Sequence, residues 1–170
     1  MKNTGKVMMA AAMAFSMVLA GCSAKQDTKT EKVVESDHKD TVKAFDEGKA
    51  LVEAFTNADY ELGSLDESAD EVSFFANDKY GTLKVEAEKG DAAAEYMEMQ
   101  AEYPNENFMP ENVYEADNRE LSTFLNQMNT IYNIAAYDKE ADVVYSIENI
   151  PEADLENVLS VFAQLGFTVE

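Results

Sequence analysis

EVSFFANDKYGTLKVEAEK, residues 71–89, alternates apolar and polar side chains on both sides of a turn. Val72, Phe74 and Ala76 point one way, although Phe75 faces the other. Leu83, Val85 and Ala87 alternate with Thr82, Lys84, Glu86 and Glu88. Between them, Asn77-Asp78-Lys79-Tyr80-Gly81 supplies turn chemistry. A period of two around such a turn predicts an antiparallel hairpin with one buried face.

Sixty residues on, the pattern recurs. Val72 matches Tyr132, Phe74 matches Ile134, Ala76 matches Ala136, Leu83 matches Val143, Val85 matches Tyr145 and Ala87 matches Ile147, around the turn Asp138-Lys139-Glu140-Ala141. Two hairpins of equal length would align in the same way, so this is a repeat of pattern. The flanking segments have helical spacing. Phe45, Gly48, Val52 and Phe55, with Leu51 beside them, share one face of a helix that starts near Asp40. Asp91 can cap a helix from Ala92 to Tyr103, stopped by Pro104. Asn118 can cap another, with Leu121, Phe124, Leu125 and Met128 at i, i+3, i+4 and i+7. Pro151 suits a first helical turn, Leu155, Val158, Leu159 and Phe162 line the helix, and Gly166 can end it. Residues 57–70 and 105–117 read as an acidic connector and a loop. The expected fold is α+β: a four-stranded antiparallel sheet with helices on one face, two α-β-β-α units in tandem after a flexible tether.

The chain opens MKNTGKVMMAAAMAFSMVLAGCSAKQ. Lys2 and Lys6 precede an apolar run from Val7 to Ala20, too short to span roughly 30 Å of hydrocarbon as a helix. It has the length and flanks of a signal-peptide core. Leu19-Ala20-Gly21-Cys22 then resembles the lipobox of bacterial lipoproteins. The resemblance implies cleavage before Cys22, a diacylglyceryl group on its sulfur and a place on the extracytoplasmic face of the cell membrane. If the cell has an outer membrane, Ser23 resembles the pattern of lipoproteins sent there. Residues 1–21 would be the signal peptide, 22–38 a lipid-anchored tether and 39–170 one acidic domain.

The net charge is −21, and losing Lys2 and Lys6 takes it to −23. Residues 51–170 carry 27 acids against Lys79, Lys84, Lys89, Arg119 and Lys139, a net of −22. Such a domain repels phosphate backbones, which excludes nucleic acid as a partner class. Solubility is the plainer meaning of the charge, and a basic protein or cationic ligand is the functional one.

Cys22 and His38 are the only cysteine and histidine. Neither a Ser-His-Asp triad nor a zinc site can be assembled from them, so no catalytic residue, cofactor or metal is assigned. Met97 and Met99 lie two apart, on different sides of a helix, and read as packing. Carboxylates are the one abundant chemistry. Asp91, Glu95, Glu98 and Glu102 fall on one helical stripe, opposite Ala93, Tyr96, Met97 and Gln100. Like charges at this spacing oppose their own helix by about 0.2–0.5 kcal/mol per pair. The stripe is a solvated face or a docking strip for a cation or basic partner. The expected role is a membrane-anchored, non-enzymatic binding or interaction module. The alternatives are a structural or accessory subunit of an envelope complex and, last, a carboxylate-based hydrolase.

Overall fold

In the computed structural model the described residues are 45–170. The signal segment 1–21, Cys22 and the tether 22–38 lie outside them, as does any helical start at Asp40.

The observed order is α1 (Asp46–Asn57), β1 (Glu61–Glu67), β2 (Glu71–Asn77), β3 (Thr82–Lys89), α2 (Ala92–Asn105), β4 (Met109–Ala116), β5 (Arg119–Asn126), β6 (Ile131–Asp138), β7 (Val143–Pro151) and α3 (Leu155–Gln164), the last preceded by a 3-10 turn at Glu152–Asp154. All seven strands form one antiparallel sheet in the order β1-β2-β3-β7-β6-β5-β4. The four-stranded sheet and the tandem α-β-β-α units are therefore corrected to seven strands and two α-β-β-β runs closed by β7 and α3. The starts of α2, β4, β5 and β6 follow those of α1, β1, β2 and β3 by 46 to 49 residues. The structural period is thus shorter than the sixty that aligned the two hairpins.

Three segments account for the difference. The acidic connector contains β1 and the loop contains β4. Both are edge strands with mostly exposed side chains, so neither carries an apolar rhythm. Residues 119–126 form β5 instead of a helix. Asp117-Asn118 is a two-residue hairpin turn between Ala116 and Arg119, with Asp117 at φ 52°. An Asx pair before an apolar run serves a hairpin as well as a helix cap. Pro151 closes β7, and the helix begins after the 3-10 turn.

The sheet has helices on both faces, which corrects the expectation of one. On one face α1 and α3 bury Leu51, Phe55, Val158 and Phe162 against Val72, Phe74, Leu83, Val85, Tyr145, Ile147 and Ile134. The Phe162 ring stands edge-on to Tyr145 and Phe167, at centroid distances of 6.1 and 5.3 Å. On the other face α2 packs Ala92, Tyr96 and Tyr103 onto Phe124, Ala135 and Val144. This interface is held largely by hydroxyls. Tyr96 Oη lies 3.0 Å from Ser122 Oγ, Gln100 Nε2 donates to the same Ser122 at 2.8 Å, and Tyr103 Oη lies 3.1 Å from Ser146 Oγ.

The two meanders flank β7 in mirrored order: β3 and β6 pair with it, β2 and β5 lie next, and β1 and β4 are the edges. α1 lies on one face, over β1–β3, and α2 on the other, over β6 and β7.

The turns at Asp78 and Asp138 are built alike. Asp78 Oδ1 accepts from the backbone N–H groups of Tyr80 and Gly81, and Asp138 Oδ1 from those of Glu140 and Ala141. Asp138 also accepts from Arg119 Nε at 2.8 Å. The Arg119 guanidinium reaches the Gly166 carbonyl and lies over the Phe167 ring, which ties down the C-terminal segment.

Gly48 lets α1 approach the sheet. A Cβ there would stand 2.5 Å from the Phe45 ring and 3.0 Å from Val72 Cγ1. Alanine gains about 1 kcal/mol in helix propensity, whereas overpacking costs about 1–3 kcal/mol. Gly48→Ala is expected to destabilise by about 1 kcal/mol net of those two effects. Urea unfolding of a lipid-free variant measures it, and an unchanged or raised midpoint contradicts the packing described.

Candidate functional site

The burial pattern shows where the sheet is left open. In β6 the run Tyr132–Ala136 is buried without a break, and so is Val143–Ile147 in β7. Those strands lie between helices on both faces. In β2 and β3 burial alternates strictly, so only one face is covered. Among the described residues no helix lies over β1, β2 and β3 on the α2 side.

The register places the side chains of this open half. Glu71 pairs with Glu88, Ser73 with Glu86 and Phe75 with Lys84, and Asp66 of β1 lies beside Ser73. Across β3, Glu86 faces Ser146 and Lys84 faces Glu148. Among the described residues the surface therefore carries Glu61, Asp66, Glu71, Glu86, Glu88 and Glu148 against one cation, Lys84. Phe75, 44% exposed, is its large apolar group, and Met99 of α2 forms part of one wall. Three shallow hollows of about 110, 90 and 40 Å³ indent it.

Repulsion here is incompletely relieved. Lys84 Nζ bonds Glu86 Oε2 at 2.9 Å, and that bond raises the lysine's proton affinity in spite of partial burial. Burial raises the Glu88 pKa above the ordinary carboxylate range, and the charges of Glu95, Glu71, Asp70 and Glu86 add to the effect. Burial also raises Glu148. Lys84 offsets part of that shift, while Glu86 and Glu106 reinforce it.

The helical stripe is divided by the structure. Glu95 is half-buried and acts on Glu88, so it borders the open face. Glu98 and Glu102 are exposed, and Asp91 takes the N-cap position with φ 53° and no capping bond from its side chain. The inward face of α2 is Ala92, Tyr96 and Tyr103 with Met99 and Gln100. Met97, which the sequence spacing sets opposite the acidic stripe with Tyr96 and Gln100, is 65% exposed. Sequence reasoning placed Glu86 and Glu88 on the polar side of a hairpin and did not single out Glu148. Their assembly depends on β7 lying against β3, a pairing between distant segments. The usable signal was the contrast between strict alternation in 71–89 and the near-continuous apolar runs of 131–137 and 143–150.

A second concavity lies beside the β2–β3 turn. It is an open cleft of about 720 Å³ bordered by Asp59, Asp78, Lys79, Tyr80, Glu156 and Asn157. Beneath it Asp154 is fully buried. Tyr60 Oη donates to Asp154 Oδ2 at 2.9 Å, and Asn157 Nδ2 donates to Tyr60 Oη at 3.0 Å. Burial raises the Asp154 pKa and these hydrogen bonds oppose the rise. The network joins the α1–β1 junction to the β7–α3 junction and is satisfied within the protein. Among the described residues no group of three or more His, Cys, Asp or Glu is arranged to hold a metal ion, and no helix is long and apolar enough to cross a membrane.

Comparison with protein-family models, with curated proteins and with solved structures finds no match to this chain.

Glu88, Glu148 and Asp154 all bind protons more readily in the folded chain than in the unfolded one. For a carboxyl group with a raised folded pKa, stability increases as pH falls through the folded value. The gain is complete below the unfolded value, about 4. The melting temperature is therefore expected to be higher at pH 5.5 than at pH 7.5 in matched ionic strength. Calorimetry that shows the opposite order refutes the assignment.

Proposed function

We propose that this chain is a lipid-anchored extracytoplasmic binding module that holds a cationic partner against the open half of its sheet. The observation that carries the reading is the single-sign surface over β1–β3 and the edge of β7. Among the described residues the carboxylates there outnumber the one lysine, and burial and neighbouring carboxylates raise the proton affinity of Glu88 and Glu148. A bound cation would oppose that rise at both. The lipobox at Leu19–Cys22 supports the anchor, which confines such a module to a membrane surface.

The shape supports a macromolecular partner over a small ligand. Small-molecule sites are concavities of about 300–1,000 Å³, whereas the hollows on this face reach only about 110 Å³. The same shallow surface, with Phe75 exposed, suits an accessory subunit docked in an envelope complex, which is the second reading. A hydrolase has less support. Among the described residues no hollow on this face exceeds about 110 Å³, which is too small to enclose a substrate between paired carboxylates.

Two experiments test the reading. Cys22→Ala should move the protein from the membrane to the soluble fraction and abolish the lipid mass on the mature chain. An unmodified Cys22 in the mature wild-type protein refutes the anchor. The triple variant Glu86→Gln, Glu88→Gln, Glu148→Gln should be at least as stable as wild type and bind a lysine oligomer at least fivefold more weakly in low salt, mainly through slower association. Equal affinities measured by calorimetry refute the open face as the cation surface.

A further inference from the structure

We infer that α2 is a hinged lid. It lifts off the second face of the sheet as a unit while the seven strands stay paired, and it bares an apolar strip on β5, β6 and β7.

What holds α2 down is largely replaceable by water. The helix buries Ala92, Tyr96 and Tyr103, and the two tyrosines keep 7% and 5% of their surface exposed. On the opposite face Leu51 and Phe55 of α1 and Val158 and Phe162 of α3 are fully enclosed. An apolar contact has no substitute in water. The hydroxyl pairs Tyr96–Ser122 and Tyr103–Ser146 and the bond from Gln100 to Ser122 exchange for bonds to solvent at small net cost. The seam is also incompletely filled. A hollow of about 110 Å³ is lined both by Met99 of α2 and by Val144 and Ser146 of the sheet.

The helix does little to hold itself. Asp91 at its N-cap is left-handed and makes no capping bond. Glu95, Glu98 and Glu102 follow at i, i+3 and i+7, so neighbouring like charges oppose the helix. Its last turn contains Pro104, which has no N–H to donate, and no basic residue to offset the helix dipole. Seating α2 also sets the Glu95 charge close enough to Glu88 of β3 to raise the proton affinity of Glu88.

Both ends of the segment are pinned to the sheet, with pivots just inside. The Gly90 N–H donates to the Asp142 carbonyl at 3.0 Å, and Met109 pairs with Leu125. Between these points Gly90, Asp91 and Asn107 have φ of 93°, 53° and 69°. Glycine enters that region freely, and Asp and Asn enter it at less cost than most residues. The pairings of β3 with β7 and of β4 with β5 do not use α2, and α1 and α3 cover the other face. Lifting α2 therefore leaves the sheet whole. It uncovers Phe124, Ala135 and Val144. Because β7 lies against β3, that strip joins the open surface of β1–β3.

Hydrogen exchange of the lipid-free chain, read amide by amide by NMR, tests the lid. Amides from Tyr96 to Tyr103 are expected to share one opening equilibrium, at least about 100-fold more favourable than that of β6 and β7. They should still exchange measurably more slowly than an unfolded peptide. Urea below the unfolding midpoint should speed exchange in β6 and β7 and leave α2 nearly unchanged, since lifting one helix exposes little surface. Val158→Ala weakens α3 on the far face. It should speed exchange in β6 and β7 at least about tenfold and leave α2 within about twofold. Exchange of α2 in step with β6 and β7, under urea or in Val158→Ala, overturns the lid, because the helix then leaves only when the whole domain unfolds. Wholly unprotected α2 amides overturn it as well, since no closed state would then be held.

Discussion

Three helices have to cover two faces of a seven-stranded sheet, and the distribution of polar residues follows from how they divide the work. Two helices fill one face, which is apolar from Val72 on β2 to Leu121 on β5 apart from the buried Thr123, whose Oγ1 accepts from the Asn112 N–H. One helix is left for the other. Beneath it the sheet is apolar only where α2 excludes water, at Phe124, Ala135 and Val144. Ser122 and Ser146 sit among them and are tolerable because Tyr96, Gln100 and Tyr103 meet their hydroxyls. A buried hydroxyl without a partner would cost about 1–3 kcal/mol. These bonds position α2 in a way that apolar contacts, which lack direction, would not.

Beyond the edge of α2 the same face turns acidic at once. On β3, Ala87 is buried while Glu86 and Glu88 on either side of it reach toward solvent. The crowding of like charge there works against the fold, yet among the described residues Lys84 is the only basic one placed among them. Charge of one sign spread over a surface costs little where water screens it over about 8 Å. It costs more where a neighbouring helix lowers the dielectric, as α2 does for Glu88 and Glu148.

The hairpins β2–β3 and β6–β7 were legible because each has one uniformly buried face and an Asx-anchored turn. So were α1 and α3, although Val52, Leu155 and Leu159 of their apolar stripes are only partly buried and Ala54 and Val161 are buried instead. β5 was misread because Leu121, Phe124, Leu125 and Met128 share helical spacing. In the fold, coverage on both faces buries four consecutive residues, Leu121 to Phe124, which erases the period of two, while Met128 lies in a turn and is 87% exposed. β1 and β4 were missed for the opposite reason, since edge strands bury too little to leave a pattern. Of the candidate site, the polar side of β3 and the stripe on α2 were visible separately. Their meeting at Glu88 and Glu95, and the approach of Glu148, required a pairing between segments some sixty residues apart, which local periodicity does not encode.

The central place of β7 also sets the order of events when the chain folds. Lys84 on β3 pairs with Glu148 on β7, and β7 in turn pairs with β6. Each meander can form from local contacts, but the two cannot share a sheet until residues 143–151 are available. Contacts between distant segments slow folding because loop closure precedes their reward. A chain that emerges from its N-terminus first must expose β3 and β6 as open edges until its last thirty residues appear.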